Sequence, residues 1–454
     1  MLIFIGILFT LFILVFSVLN NIFLGYGLTI SLLFFTVIGL KRGYSLKKIG
    51  MLYWIETKKS LNIILILVLI GMLISSWLSS GVISSIIYYS LKYVNPNLFI
   101  LCAFLITSLI SMLIGTSFGT VSAVGIPLII IGKAAGINLG ILGGAIFSGA
   151  YFGDRTSPLS SSLLLLCNLT NLKLFDYVKK IIIDNIIPFA LCIAFYLVLS
   201  LKYPLTSMSN GLSNELYNYY NVSLLLLLPA IILFLLSILK VQITHSIPIS
   251  VLCAFILDIF IQHTNVYDFL NYLVFGYSNN SDILKNIIHG GGIISMLKTC
   301  YIIVISCSIS GFFSGLNVFE NLKVKLKEKN LSKSSIFLVT VILGIINAAV
   351  GCSQTIAIIL TLDILKDLYE DEPNDELALD FSNSAILTPA LIPWCIAALV
   401  PCSVLGINSY SYIPFAFYLY IVTIVHFIRK KFLKSTGGQQ FNVINLQRKN
   451  KSIF

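Results

Sequence analysis

The sequence predicts an all-α, polytopic membrane protein that forms a single domain over residues 1–454. Of its 454 residues, 58% are hydrophobic and only 10% are charged, whereas a soluble domain carries about 25% charged residues. Apolar stretches of about 20 residues, enough to cross the hydrocarbon core of a bilayer as helices, recur along the whole chain. No long polar block between them suggests a separate soluble domain. The lipid bilayer is therefore the expected surroundings of this chain.

The apolar stretches give the predicted spanning helices in chain order. They lie near residues 2–19, 22–40, 61–78, 98–114, 181–201, 222–239, 246–261, 293–314 and 411–428. The first stretch has neither a basic leader nor a small-residue cleavage site, and the second follows at once, so a helical hairpin is expected there rather than a signal peptide.

The positive charge is concentrated beside the apolar stretches, which explains the net charge of +11. Four clusters hold most of the Lys and Arg residues: residues 41–59, 173–180, 323–333 and 429–451. Basic residues accumulate on the cytoplasmic side of membrane proteins. We therefore expect both termini in the cytoplasm, with residues 435–454 as a cytoplasmic tail. The basic clusters are not interleaved with aromatic residues, so no nucleic-acid partner is expected.

Two regions differ from the clean apolar stretches and occupy corresponding places in the two halves of the chain. The first runs from Gly115 to Ser162 and the second from Gly344 to Pro401, and both are interrupted by Gly, Pro and hydroxyl residues. Asp154 precedes Asn383 by 229 residues, and Ser117 precedes Ser353 by 236. These matched offsets predict an internal repeat, the first about 61–201 and the second about 286–428. Paired, interrupted apolar segments are typical of the binding sites of secondary transporters.

Asp154 and Arg155 stand within an otherwise apolar region and are the strongest candidates for chemistry. Charged side chains at membrane depth are costly and usually face a cavity or a partner. A carboxylate among hydroxyl and carbonyl oxygens suits a hard cation such as Na⁺, and protonation of the same carboxylate would release that cation. The alternative is that Asp154 and Arg155 form only a structural ion pair or lie at the membrane interface.

Hydroxyl and amide side chains near the interruptions are the predicted companions of Asp154. The predicted cation- and proton-binding residues are Asp154, Thr116, Ser117, Thr120, Ser157, Ser160, Asn383 and Ser353. Single hydroxyls in membrane helices more often serve helix packing or capping, but a cluster beside broken helices can also coordinate a cation. The nine cysteines contain no CxxC pair, so neither a disulfide nor a metal cofactor is expected, and Na⁺ at Asp154 would be cargo.

Several motifs resemble those of the NhaC-type Na⁺/H⁺ antiporter family, a branch of the ion transporter superfamily. They are GTSFGTVSAVGIP (115–127), FGDRTSPLSSS (152–162), HGGGIISMLKT (289–299), LTPALIPW (387–394) and the Trp- and Gly-containing segment 71–96, so the similarity covers about residues 65 to 410. The resemblance implies a bacterial cell-membrane antiporter with Asp154 as its cation- and proton-binding carboxylate. It also implies inverted repeats with re-entrant hairpins and discontinuous helices, and a mobile transport domain that slides against a scaffold in a homodimer.

The sequence departs from the family pattern where many relatives carry additional carboxylates. Ser161 stands where an Asp often follows SPLS, and Ser382 and Asn383 replace acidic residues before the Leu-Ile-Pro-Trp stretch. The missing carboxylates favour either a site with one titratable acid and near 1:1 exchange, or a different substrate.

The alternative to Na⁺/H⁺ exchange is a Na⁺- or H⁺-coupled organic-anion or amino-acid carrier on the same scaffold. In that carrier Arg155, Ser161 and Thr388 would contact the substrate, because a guanidinium can pair with a carboxylate. An enzyme is not expected: an intramembrane aspartyl protease needs a second Asp facing the first, and none stands at the matched position.

Overall fold

The computed structural model describes residues 2–20, 22–93, 95–205, 221–239, 241–278, 289–314, 326, 331–370 and 372–432, and the predicted tail 435–454 lies outside them. The α-helices are α1 (Leu2–Leu19), α2 (Leu24–Lys41), α3 (Leu46–Ser79), α4 (Val82–Tyr93), α5 (Phe99–Ile114), α6 (Ser117–Thr120), α7 (Ile126–Ala134), α8 (Leu139–Thr156), α9 (Ser161–Leu169), α10 (Leu174–Lys202), α11 (Leu228–Ile238), α12 (Ile243–Leu257), α13 (Val266–Phe275), α14 (Ile293–Ser314), α15 (Lys333–Gly351), α16 (Gln354–Leu365), α17 (Asn374–Ser382), α18 (Ile396–Leu405) and α19 (Phe417–Phe432). The strands β1 (Tyr277–Ser278) and β2 (His289–Gly290) form one short antiparallel ladder.

Within the described residues, eight helices are long and apolar enough to cross a membrane, which confirms the prediction of an all-α polytopic membrane protein. They cover Leu24–Lys41, Ser60–Ser79, Pro96–Ile114, Ser117–Ala134, Leu174–Lys202, Ile243–Gln262, Ile293–Phe313 and Lys333–Gly351. Many large apolar side chains remain exposed on these helices, as expected for a surface that faces lipid rather than water.

Two sets of extensive helix contacts lie within one continuous hydrophobic core. In the first, α3 lies against α12, α13 and α14, and Trp77 of α3 is fully buried with its indole N–H donated to Ser250 at 3.1 Å. In the second, α8 lies against α5 and α19 and is buried along almost its whole length. Because α8 faces protein and not lipid, polar residues at its end can find partners inside the helix bundle.

Helix breaks occur in the same order in both halves. In the first half, α5 ends at Gly115, whose φ of 79° is left-handed, and α6 starts two residues later; α8 then stops at Thr156 and α9 resumes at Ser161. In the second half, Cys352 with a φ of 50° separates α15 from α16. The chain is then irregular between α17 and α18, apart from one short 3₁₀ turn.

The end of α8 is positioned by a close approach to α5. At Gly153, a Cβ atom would lie 2.1 Å from the Ser111 carbonyl carbon, so only glycine fits. The neighbouring Ser111 hydroxyl donates to the Ala150 carbonyl across the same contact. This contact fixes the residue that follows Gly153, which is Asp154.

Gly153→Ala is expected to lower the free energy of unfolding by about 1–3 kcal/mol, because the added methyl group meets backbone that cannot move aside. Thermal unfolding of the purified protein in detergent measures the change. Gly50→Ala is the control, since a Cβ atom at this helical position meets nothing within 4 Å; we expect it to be neutral or slightly stabilising. Equal midpoints for the two variants would contradict the close contact.

Candidate functional site

Asp154 lies at the C-terminal end of α8, where the next residues form a sharp break. Ser157 is extended, with φ −78° and ψ 133°, as the residue before a proline prefers, and this ends α8. Ser160 then caps α9 by accepting a hydrogen bond from the Leu163 N–H at 3.2 Å. The break therefore turns hydroxyl groups back toward the carboxylate instead of continuing the helix past it.

Three neutral side chains donate hydrogen bonds to the Asp154 carboxylate. Ser160 donates to Oδ1 at 3.1 Å, Ser162 donates to Oδ2 at 3.5 Å, and Gln354 donates to Oδ2 at 3.0 Å. Asp154 is 3% exposed. No ion pair joins it to a Lys or Arg within the part of the chain that the structure describes. The carboxylate is thus solvated by protein dipoles without a fixed counter-charge.

Gln354 brings the second half of the chain to this carboxylate. It is the first residue of α16, directly after the αL residue Cys352 and the extended Ser353. Its side-chain amide also donates to the Ile386 carbonyl at 2.8 Å, in the irregular segment between α17 and α18. One side chain therefore joins the break after α8 to both breaks of the second half.

Arg155 points to a different set of partners. One terminal nitrogen donates to Asn185 at 2.9 Å and to Tyr418 at 3.1 Å, and the other donates to Asp184 at 2.8 Å and to Asn383. The guanidinium is fully buried. Arg155 therefore pairs with Asp184, and the structural pair between Arg155 and Asp154 that was one alternative is absent from the described ion pairs.

A charged layer continues beyond Arg155 toward the end of α19. Asp184 also accepts from Arg429 at 2.5 Å. Asp380 accepts from Lys430 and is 2.8 Å from His426 Nε2. Sequence reasoning missed Asp380 and gave His426 no role. The available signal was the i, i+4 spacing of His426 and Lys430, which places both on one face of α19.

The other predicted residues have diverse surroundings. Asn383 joins the Arg155 network, with its amide nitrogen 3.1 Å from Asp184. Four of the predicted hydroxyl groups form hydrogen bonds with backbone groups of neighbouring turns: those of Thr116, Thr120, Ser157 and Thr388. Ser117 is buried, Ser353 makes no capping hydrogen bond, and Ser161 is exposed. Of the predicted companions, Ser160 thus forms a hydrogen bond with Asp154, and two residues that were not predicted, Ser162 and Gln354, do so as well. A bonded hydroxyl keeps a lone pair with which it can still accept a donor or a cation.

The arrangement has the oxygen ligands and the single carboxylate that competition between a proton and a small hard cation would require. Carboxylate, hydroxyl and carbonyl oxygens are the ligands that hard cations prefer. Broken membrane helices supply such carbonyls because the backbone at a break is not consumed by helix hydrogen bonds. A proton on Asp154 removes the formal charge of the carboxylate that would hold the cation.

Comparison with known proteins agrees with a membrane antiporter scaffold. The sequence profile of the Na⁺/H⁺ antiporter family matches residues 149–429. The malate-2H⁺/Na⁺-lactate antiporter of Bacillus subtilis is 28% identical over 409 residues, which cover 88% of this chain and 87% of that protein. The Na⁺/H⁺ antiporter NhaC of Alkalihalophilus pseudofirmus is 25% identical over 372 residues, 80% of each chain. The arginine/ornithine antiporter ArcD of Halobacterium salinarum is 29% identical over 372 residues, 79% of this chain and 76% of that one.

Proposed function

Because this chain belongs to the Na⁺/H⁺ antiporter family, as its motifs predicted, we propose that it exchanges Na⁺ for H⁺ across the bacterial cell membrane with Asp154 as the shared binding group. The observation that carries the proposal is the burial of a carboxylate whose donors, Ser160, Ser162 and Gln354, are all neutral. With neither ion bound, that carboxylate is an uncompensated charge at membrane depth.

Exchange follows from the cost of that charge. A buried carboxylate without a counter-charge is unfavourable by several kcal/mol, so a site that moves between the two faces does so when Na⁺ or H⁺ neutralises it. Each ion excludes the other from the same oxygens. Return of the empty, charged site is disfavoured, and this couples outward movement of one ion to inward movement of the other.

The proposed stoichiometry is one Na⁺ for one H⁺. Asp184 and Asp380 are also buried carboxylates, but each is held by fixed cations: Arg155 and Arg429 at Asp184, and Lys430 at Asp380. A carboxylate with a permanent cationic partner needs neither Na⁺ nor H⁺ to be neutralised.

Asp258 is a further buried carboxylate that accepts from neutral hydroxyls, Ser79 at 2.5 Å and Thr264 at 2.9 Å, but these partners lie at the end of α3 and after α12, not at the breaks that surround Asp154. We therefore assign the change of charge in the cycle to Asp154.

An elevator-type movement of inverted repeats in a homodimer accounts for alternating access. The support is that helix breaks occur in the same order in both halves. A two-residue break comes first, between α5 and α6 and between α15 and α16, and a longer break follows, after α8 and after α17. We assign both termini to the cytoplasm, because Lys41 ends α2 and Arg429, Lys430 and Lys431 end α19. The first repeat spans about 61–201 and the second about 286–428 in this assignment.

The test is exchange by the purified protein in proteoliposomes that contain a pH-sensitive dye. After a pH gradient is imposed, added Na⁺ is expected to collapse it, and clamping the membrane potential at zero is expected to leave the rate unchanged if the exchange is 1:1. Li⁺ and K⁺ serve as comparison cations. If clamping the potential changes the rate of the dye response, 1:1 stoichiometry is contradicted. If folded, inserted protein gives no dye response with any of the cations, Na⁺/H⁺ exchange is contradicted.

The second candidate is a Na⁺- or H⁺-coupled carrier of an organic anion or amino acid. It is favoured by relatives named for malate, lactate, arginine and ornithine. A substrate carboxylate at Arg155 would have to compete with the four side chains that its terminal nitrogens already bind. Uptake of these four solutes, measured in the same proteoliposomes, separates this candidate from cation exchange.

A further inference from the structure

A cavity of 360 Å³ lies where α3, α7 and α18 end and where α8 and α14 begin. Isoleucine, leucine, valine and methionine side chains form most of its wall. Its polar side chains are Lys133 of α7, His289 of β2, Ser295 of α14 and Ser403 of α18. We propose that this cavity binds a small monovalent carboxylate with an aliphatic chain. The carboxylate group lies at Lys133 and His289, and the chain packs against the apolar wall.

The cavity is remote from the site around Asp154 and lies at one membrane surface. Leu139 lines the cavity and starts α8, whereas Asp154 lies 15 residues later in the same helix, about 22 Å away along its axis. Leu78 lines the cavity near the end of α3, and Lys47 lies at the other end of that continuous helix. The cavity therefore belongs to the membrane surface opposite the basic cluster 41–59 and is a separate site.

A glycine turn fixes the position of His289 at the cavity. The residue belongs to the β1–β2 ladder, and Gly291 and Gly292 follow it with φ angles of 72° and 81°, a region that favours glycine. At Gly291 a Cβ atom would lie 2.5 Å from the Ser75 backbone nitrogen, so a side chain does not fit. The Gly292 N–H donates to the Gly71 carbonyl at 2.7 Å. The turn is thus held against α3, and the imidazole offers an N–H donor in either tautomer.

The charge of the lining selects an anion. Lys133 supplies a permanent positive charge, and none of the described residues that line the cavity is Asp or Glu. Within the described part of the chain, the Lys133 ammonium has no ion pair, and both Lys133 and His289 are exposed and therefore accessible. A cation beside apolar walls attracts anions strongly because such walls focus its field. One permanent charge matches one carboxylate, so a monovalent anion is favoured over a dianion.

The size and the wall of the cavity select a short aliphatic chain. Small-molecule sites occupy about 300–1,000 Å³, and this cavity lies near the lower limit. One leaflet of a bilayer is about 15 Å deep, about twice the width of a compact cavity of this volume, so the acyl chains of a lipid are too long. The hydroxyls of Ser295 and Ser403 already donate to backbone carbonyls, which leaves Lys133 and His289 as the donors to the carboxylate.

The experiment is isothermal titration of the purified protein with hexanoate in a non-ionic detergent. Hexanoate is expected to bind saturably at one site per chain. Lys133→Gln is expected to weaken that binding about tenfold, the effect of losing a charge-assisted hydrogen bond. Lys298→Gln is the matched control and should keep the wild-type affinity, because this exposed lysine lies on α14 one turn from Ser295 but does not line the cavity. His289→Leu removes the second donor and is expected to weaken binding about fivefold.

Related solutes test the two parts of the ligand. Hexanamide and hexylammonium share the chain without the negative charge and are expected to bind about tenfold more weakly than hexanoate. Acetate shares the charge without the chain and is expected to bind about 100-fold more weakly, because it buries four fewer methylene groups. Hexylammonium binding as tight as that of hexanoate would indicate partition into detergent and overturn the inference. Acetate binding as tight as that of hexanoate would overturn the role of the apolar wall.

Three further outcomes would overturn the inference. The first is an absence of hexanoate binding to the folded wild type. The second is equal affinity in Lys133→Gln and the wild type, which would mean that Lys133 only extends its ammonium from the end of α7 to water, as lysines at membrane surfaces do. The third is native mass spectrometry in which the wild type retains phosphatidylglycerol and Lys133→Gln does not, since the ligand would then be a lipid headgroup.

Thermal unfolding keeps the test decisive if a variant is less stable. A ligand that binds only the folded state raises the unfolding midpoint, so hexanoate should raise it in the wild type and in Lys298→Gln but much less in Lys133→Gln at the same concentration. Equal increases in all three would contradict the site. None of these measurements requires Na⁺ or a membrane potential, so the site at Lys133 stands or falls independently of Na⁺/H⁺ exchange.

Discussion

Asp154→Asn is expected to abolish Na⁺-dependent proton movement while the protein stays folded. The carboxylate is the group that both ions neutralise, and asparagine offers the cation an oxygen without a charge. Removing one partner of a buried ion pair costs about 3–5 kcal/mol, which corresponds to a loss of cation affinity on the order of 100-fold or more. The measurement is the rate of dye response to Na⁺ in proteoliposomes, normalised to inserted protein.

The fold should tolerate this substitution because the three donors to Asp154 are neutral. With the amide oxygen at the Oδ2 position, Ser162 and Gln354 still donate to it, and the amide NH₂ at the Oδ1 position can donate to the Ser160 hydroxyl oxygen. Asp363→Asn is the matched control: it removes an acid from α16 whose side chain is exposed, and its exchange should equal that of the wild type. Wild-type exchange by Asp154→Asn would remove Asp154 from the mechanism.

The helices were predictable where the length of an apolar stretch alone determines them, and their bounds were less predictable elsewhere. The stretch predicted at 61–78 matches the apolar part of α3, Ser60–Ser79. The helix itself begins at Leu46, where Ser45 caps it, because its first turns are polar and carry no apolar-length signal. Conversely, the helix predicted from residue 411 starts at Phe417, since Pro414 falls in a short 3₁₀ turn before it. The amphipathic α4 and the short α13 lack a long apolar run and were not predicted.

The same limit explains one misplaced region. The second interrupted region was predicted to start at Gly344, yet Lys333–Gly351 is one continuous apolar helix, and the interruption begins at its end. Glycine within a helix weakens its helical propensity without breaking it, so Gly344 gave a false boundary. The break at Cys352 has a left-handed non-glycine residue, which has no reliable sequence signal.

The candidate site was predictable only as far as local sequence reaches. Ser160 lies six residues from Asp154, and a short break brings such neighbours together. Gln354 lies 200 residues away, and its contact with Asp154 depends on how the two halves pack. The direction of Arg155 depends on the same packing, because consecutive helical side chains point about 100° apart and only the neighbouring helices decide which one meets α10 and α19.

Arg155→Met is expected to lower the free energy of unfolding by about 3 kcal/mol, the lower end of the range for breaking a buried ion pair, because Asp184 keeps Arg429. The substitution removes the donor that the oxygens of Asp184, Asn185 and Asn383 share. Arg155→Lys keeps the charge, but a single ammonium cannot reach partners on both sides of the planar guanidinium. We therefore expect it to lose about half as much. The unfolding midpoint of the purified protein in detergent reports the order wild type, Lys, Met.

A double-mutant cycle with Asp184→Asn tests the cause of that loss. If Arg155 acts mainly by pairing with Asp184, Arg155→Met should cost less in the Asp184→Asn background, with a coupling of about 1–3 kcal/mol. Additive losses would contradict the pair. If Arg155 instead binds the substrate, the Arg155→Lys variant should have the unfolding midpoint of the wild type but should lose uptake of a carboxylate solute. Since stability and uptake are measured on the same variants, each role predicts a distinct outcome, and the four buried contacts of Arg155 lead us to expect the loss of stability.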